Sequence, residues 1–289
     1  MTPVRSLGID VAEERKGLDT VVLDDAMATV LSRRRVAVDD VGPLIDETKP
    51  DVVAIDSPPA WGSGGGSRRT ERELRRFGIH SYGTPSDRKK ASDNPFYRWM
   101  QEGFRVFEAA AACGFPRYRD GPVNGTAIEV FPHASAVVLA GCLPPRDARK
   151  RPFREAVLRA QGVAVDGLQS ADQVDAALAA LTGLLALKGR RTHLGDPREG
   201  VIVLPVASLP ARPFRRCREE TTNGEVQLHF PGLARCACGD PSCTASTSRE
   251  FAPGHDAKRK SALWALARSG QDAVDELRRR GWEIPPEMR

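Results

Sequence analysis

Asp51-Val52-Val53-Ala54-Ile55-Asp56-Ser57-Pro58-Pro59 is the stretch that sets the architecture. Its apolar run has the length of a strand, and the two prolines stop it because proline has no N–H to give to a ladder. A strand apolar on both faces belongs in the middle of a sheet with helices on either side. Its closing acid is then left at the sheet edge. Residues 4–10 end the same way, with Asp10 after Gly8-Ile9. Residues 20–23 and 28–31 suit antiparallel neighbours of that first strand. Residues 126–131 give a further strand carrying Glu129, and 200–204 another, ended by Pro205. Helical spacing of apolar residues is expected over 39–48, 68–77, 96–113, 152–160 and, most clearly, 170–187. There Ser170 is placed to cap, and Leu178, Leu181 and Leu185 share one side. Residues 80–95 are polar and turn-rich, the pattern of a loop. This order predicts an α/β protein, a mixed β-sheet flanked by helices, with a small C-terminal module. The expected divisions are a main domain over 1–209, a basic, proline-containing linker over 210–230, and the module over 231–289.

The chain has 289 residues, 40% hydrophobic and 28% charged, which is enough apolar matter for a core. No run of about 18 apolar residues exists, so no membrane span is expected. The N-terminus has no apolar signal core, which predicts a cytoplasmic location and reduced thiols at Cys113, Cys142 and Cys217. The net charge of +5 is concentrated in clusters at 68–76, 89–90, 146–154, 212–218 and 258–260. Such clusters suit phosphate contacts, although solvated helix faces account for them equally well.

Acids recur where elements end: Asp10, Asp56, Glu129, and Asp175 early in an otherwise apolar helix, with Asp172 one turn before it. Strand-end residues gather at the carboxyl edge of such a sheet. Carboxylates crowded there repel one another, and hard divalent cations, Mg²⁺ or Mn²⁺, remove the repulsion. A pair of such ions suits phosphodiester hydrolysis without a protein nucleophile. Arg69 and Arg72, one turn apart, are placed to contact the phosphate. Gly62-Ser-Gly-Gly-Gly-Ser67 lacks the Gly-Lys-Ser/Thr ending of a phosphate-binding loop and suits a hinge better.

Near the C-terminus stands Cys236-Ala-Cys238-Gly-Asp-Pro-Ser-Cys243, followed by Phe251-Ala-Pro-Gly-His255-Asp256. Three thiolates and an imidazole complete a tetrahedral Zn²⁺ site, so Cys236, Cys238, Cys243 and His255 are the expected ligands. The following Lys258, Arg259 and Lys260 would face nucleic acid.

With these residues placed, the chain resembles domain-of-unknown-function family 429, a family of predicted nucleases. The matching pieces are Gly8-Ile-Asp10, Val53-Ala-Ile-Asp56-Ser-Pro-Pro, Arg69-Thr-Glu71-Arg72-Glu73-Leu74-Arg75, Ile128-Glu129-Val-Phe131-Pro132-His133, Asp175-Ala-Ala-Leu178 and Glu199-Gly200-Val-Ile202. The family's usual cysteine-acid pair is replaced by Thr70-Glu71. The resemblance implies a ribonuclease-H-like sheet whose Asp10, Asp56, Glu129 and Asp175 hold two metal ions. The cysteine cluster is similar to a short zinc module of bacterial and phage proteins, with Cys243 three residues later than usual.

The sequence therefore predicts a metal-dependent nuclease acting on DNA or RNA, assisted by a structural zinc module. Its rival is a non-catalytic nucleic-acid-binding protein on the same scaffold. A phosphotransferase of the actin-like and sugar-kinase architecture needs a glycine-rich hairpin after Asp10, where Val11-Ala-Glu13-Glu14-Arg15 stands instead.

Overall fold

The computed structural model describes residues 3–233 apart from 65, 147, 223 and 224. The cysteine-histidine cluster, Lys258 and Arg259 lie outside the described residues. Internal packing divides the chain into units Met1–Phe230 and Pro231–Arg289.

The first unit is built on seven strands: β1 (Arg5–Asp10), β2 (Leu18–Asp24), β3 (Thr29–Val36), β4 (Val52–Asp56), β5 (Thr126–Glu129), β6 (Thr192–Asp196) and β7 (Gly200–Leu204). They form one mixed sheet in the order β3-β2-β1-β4-β5-β7-β6. Strands β1, β4, β5 and β7 run parallel, with the β2–β3 hairpin antiparallel on one flank and β6 antiparallel on the other. The mixed sheet read from the sequence is thus present, and β4 lies at its centre.

Helices cover both faces. Helices α1 (Val41–Thr48) and α4 (Arg98–Ala112) pack on one face, where Leu7, Ile9, Val53, Ile55 and Ala127 meet Val41, Leu44, Val106 and Phe107. On the other face lies α7 (Ala171–Leu187), backed by α5 (Pro132–Ala140) and α6 (Lys150–Ala160). Helix α2 (Arg69–Arg76) packs on β6 and β7, and the short α3 (Arg88–Asp93) lies within the segment expected to be a loop. Helix α5 was not legible as a helix because nearly all its side chains are buried, leaving no polar stripe to reveal the period. Strands β8 (Arg218–Thr222) and β9 (Glu225–His229) pair as a hairpin, where a linker was expected.

The approach of α7 to the sheet is unusually close. An ideal Cβ on Gly8 of β1 would lie 2.0 Å from the Ala176 carbonyl oxygen and 2.4 Å from the Ala180 nitrogen. One on Gly183 of α7 would lie 2.2 Å from Ser6 Oγ. Glycine at both points lets helix backbone and strand come together. Helix α7 is buried on all sides from Ala176 to Ala186, so its depth is held by apolar packing around it.

The expectation of free thiols is corrected for one pair: Cys142 and Cys217, 75 residues apart, form a disulfide. Backbone bonds align them, with Leu143 N–H donating to Arg215 at 2.8 Å and Cys217 N–H donating to Leu143 at 2.8 Å. No sequence spacing announces such a pairing. Cys113 is free.

Gly8→Ala is expected to lose about 3 kcal/mol in urea unfolding, because the clash is with backbone that cannot rotate away. Gly64→Ala, at a position with nothing within 4 Å, should change stability by less than about 0.5 kcal/mol.

Candidate active site

The parallel register of β1 and β4 sets Asp10 opposite Asp56. Both therefore leave the carboxyl edge on the face that α7 covers, the face of Val52 and Ala54. Asp175 stands in the first turns of α7, one residue before the Ala176 carbonyl that meets Gly8. Together the three offer carboxylate oxygens that all lie within 4.8 Å of one another. Asp172, one turn earlier, is exposed, and with Asp56 and Asp175 it lines a cavity of about 360 Å³.

Crowding shows in the protonation equilibria. Burial first, then the neighbouring Asp56, Asp175, Asp172 and Asp19, hold Asp10 well above the ordinary carboxylate range. Burial and Asp175 push Asp56 up, with Arg154 opposing. Asp175 is pushed up to about 6, chiefly by burial, although Arg154 favours its charged form. The Arg154 guanidinium, on α6, reaches both oxygens of Asp175, and its Nε is buried without a partner. Arg154 bonds Asp175 and reaches Asp56 through its charge, with Lys150 also acting on Asp175, yet all three carboxyls stay raised. Hard, anionic oxygens at this spacing fit Mg²⁺ or Mn²⁺.

Glu129, expected as a fourth ligand, takes a different part. It pairs with Ile55 across the parallel ladder, so it leaves β5 toward the opposite face from Asp10 and Asp56. Both its oxygens accept from Arg68, at 2.8 Å from Nη1 and 2.5 Å from Nη2. Arg68 Nε donates to Glu71 at 3.0 Å, and Glu71 accepts from the Thr84 N–H and hydroxyl. Arg68 and Glu71 are each 2% exposed. Burial raises the Glu129 carboxyl, and Arg68 opposes the rise. This network closes the wall of the cavity beside Asp56.

Of the basic residues expected at substrate, Arg69 is exposed and bound to Glu73 at 2.7 Å, and Arg72 is exposed with its guanidinium on the Ser67 carbonyl. Neither lines the cavity, whereas Lys150 and Arg154 do, one turn apart on α6. The 146–154 charge cluster was the only sequence sign of them. His133 is pushed down to about 4 by burial and by the Arg154 and Lys150 charges, so it is neutral at pH 7.

A carboxyl whose folded pKa is raised adds stability below its unfolded pKa and loses it as pH rises through the folded value. Asp10→Asn removes that loss. With metal chelated, the variant is expected to melt higher than the parent at pH 7.5, by roughly 3 °C or more, and to lose the advantage near pH 4. Mn²⁺ should then raise the parent's melting temperature more than the variant's. Differential scanning calorimetry at the two pH values, with and without Mn²⁺, reads both effects.

This chain is similar to solved structures that include the following two. "Thermus thermophilus RuvC structure" is 12% identical, with a TM-score of 0.35, covering 64% of this chain and 95% of that one. "T. thermophilus RuvC in complex with Holliday junction substrate" is 15% identical, with a TM-score of 0.38, covering 64% and 96%. No curated protein sequence gives a significant match. A family model described as "Protein of unknown function (DUF429)" matches residues 8–199, a span that begins two residues before Asp10 and includes Asp56 and Asp175. The chain belongs to that family.

Proposed function

We propose that this protein is a divalent-metal-dependent nuclease that hydrolyses phosphodiester bonds of DNA or RNA. The observation that carries the reading is the convergence of Asp10, Asp56 and Asp175 within 4.8 Å at the carboxyl edge of the sheet. Mg²⁺ or Mn²⁺ held there would neutralise the phosphate and lower the pKa of water.

The chain's own residues supply the rest. Asp10, Asp56 and Asp175 would hold the metal, whose charge relieves the burial and mutual repulsion that raise their pKa values. Lys150 and Arg154 line the same cavity and would bind phosphate oxygens. The Arg68–Glu129 and Arg68–Glu71 pairs keep the wall rigid, so that the substrate meets a fixed surface. His133, being neutral, is available to accept a hydrogen bond but not to donate as a cation. The partner class rests on the cavity cations and on the net charge of +5. Among the described residues, no helix is long and apolar enough to cross a membrane. The zinc module stays part of this proposal on its sequence alone: Cys236, Cys238, Cys243 and His255 would hold Zn²⁺, and Lys258 and Arg259 would touch nucleic acid.

One observation favours the rival, a protein that binds nucleic acid without cutting it. Arg154 already occupies both oxygens of Asp175. An Asp175 held in that pair is withheld from metal, which weakens the ligand set that turnover needs.

Labelled single- and double-stranded DNA and RNA incubated with Mg²⁺ or Mn²⁺ decide between them. Cleavage is expected with metal, none after chelation, and at least a 100-fold loss in Asp10→Asn. Equal activity in that variant refutes the site. Metal-independent binding with no turnover on any substrate selects the rival.

A further inference from the structure

Among the described residues, three large apolar side chains are exposed: Val30, Tyr82 (67%) and Phe96 (46%). Two of these three meet each other. The rings of Tyr82 and Phe96 stand edge to face, with centroids 5.1 Å apart. Phe96 continues onto Tyr97 at 5.0 Å, Tyr97 onto Trp61 at 6.4 Å, and Trp61 onto Phe104 at 4.8 Å. The outer end of this run is wet, and its inner end is anchored on α4. Exposed aromatic rings cost solvation, and a chain that keeps two of them together at one spot has a use for their faces.

The position of Tyr82, which Phe96 extends outward, names the use. Tyr82 lines the same cavity as Asp56 and Asp175, together with the half-buried Trp99. The hydroxyl of Ser81, on the same wall, is buried without a hydrogen-bond partner. Exposed cations flank the rings in the chain: Arg88 and Lys89 on α3, and Arg98 at the start of α4. Exposed rings beside an acid cavity, with cations near them in the chain, suit unpaired bases on a phosphate backbone. A paired duplex hides its base faces in its own stack and has nothing to offer such rings.

We infer that Tyr82 and Phe96 form a stacking platform for unpaired bases, so that nucleic acid reaches the carboxylates as a single strand or a splayed end. The inference rests on the nuclease reading for what happens next, but the platform is tested without chemistry. Its backbone is held: the Thr84 N–H donates to Glu71 at 3.0 Å, which ties the loop carrying Tyr82 to α2.

The test is fluorescence anisotropy of a labelled oligothymidylate, and of a blunt duplex of equal length, on the full chain in chelator at fixed salt. Tyr82→Ala and Phe96→Ala should each weaken oligothymidylate binding about tenfold, or about 1.4 kcal/mol, and leave duplex binding unchanged. Tyr82→Phe keeps the ring and should bind as the parent does. Oligothymidylate affinity unchanged in both alanine variants overturns the platform and points to a protein partner for the rings. An equal loss for single strand and duplex also overturns it. Both side chains are exposed, and circular dichroism of each variant verifies that the fold is intact. Tight ring-dependent binding in a protein that never cleaves would remove the nuclease reading and leave the platform standing. Cleavage with ring-independent binding would do the reverse.

Discussion

Everything at the acid cavity depends on one backbone contact, that of α7 with β1. Where Gly8 meets Ala176 and Ala180, no side chain separates strand from helix. Asp10 follows Gly8 by two residues along the strand, and Asp175 precedes Ala176 by one along the helix. Once the two backbones touch, these carboxylates have no freedom to stand apart. Asp56 is then added by register alone, since a parallel ladder sets it opposite Asp10. Electrostatics opposes the assembly and apolar packing imposes it. Helix α7 is buried on every side beyond its first turns, so an acid is tolerable only near its start, at the sheet edge.

Two ionic groups meet at the cavity wall, and their difference in completeness separates scaffold from site. In one, Arg68 gives its Nε, Nη1 and Nη2 to Glu71 and Glu129, and Thr84 satisfies Glu71 further. Such a network is closed, and breaking it by removing one partner leaves an uncompensated buried charge. In the other, Arg154 pairs with Asp175 alone of the three carboxylates, and all three pKa values are raised. Carboxylates held in unfavourable company, beside an open cavity, are the physical mark of a place meant for a ligand.

What the sequence showed follows from the same physics. Apolar runs ending in acids were legible because a central strand must be apolar on both faces and must end somewhere wet, hence Asp10 and Asp56. Asp175 was legible because an acid in so apolar a helix has few places to go. Glu129 looked equivalent, being an acid on a strand, but its direction is decided by parity. It stands opposite Ile55, whereas Asp56 pairs with Asp10, and register is a property of pairs of strands, not of either one. Arg68 was hidden by its neighbours. In Arg68-Arg69-Thr70-Glu71-Arg72 the buried arginine is the cap that precedes α2 and the exposed ones lie within it, a boundary the run of charges does not mark. The Cys142–Cys217 pairing depends on a backbone bridge between distant segments, and nothing in spacing encodes it.

The closed network also explains how a loop can belong to the site. Residues 80–87 have no regular structure of their own, and a loop of that kind is ordinarily too loose to aim a side chain. Here Thr84 is 1% exposed and bonded to Glu71 through both its N–H and its hydroxyl. Glu71 holds Arg68, and Arg68 holds Glu129 on β5, the strand beside the one that carries Asp56. A continuous path of charge-assisted hydrogen bonds therefore runs from the loop bearing Tyr82 to the sheet that bears the acids. Glu129, turned away from the carboxylate group, serves it at one remove, by fixing where the aromatic rim stands relative to Asp56.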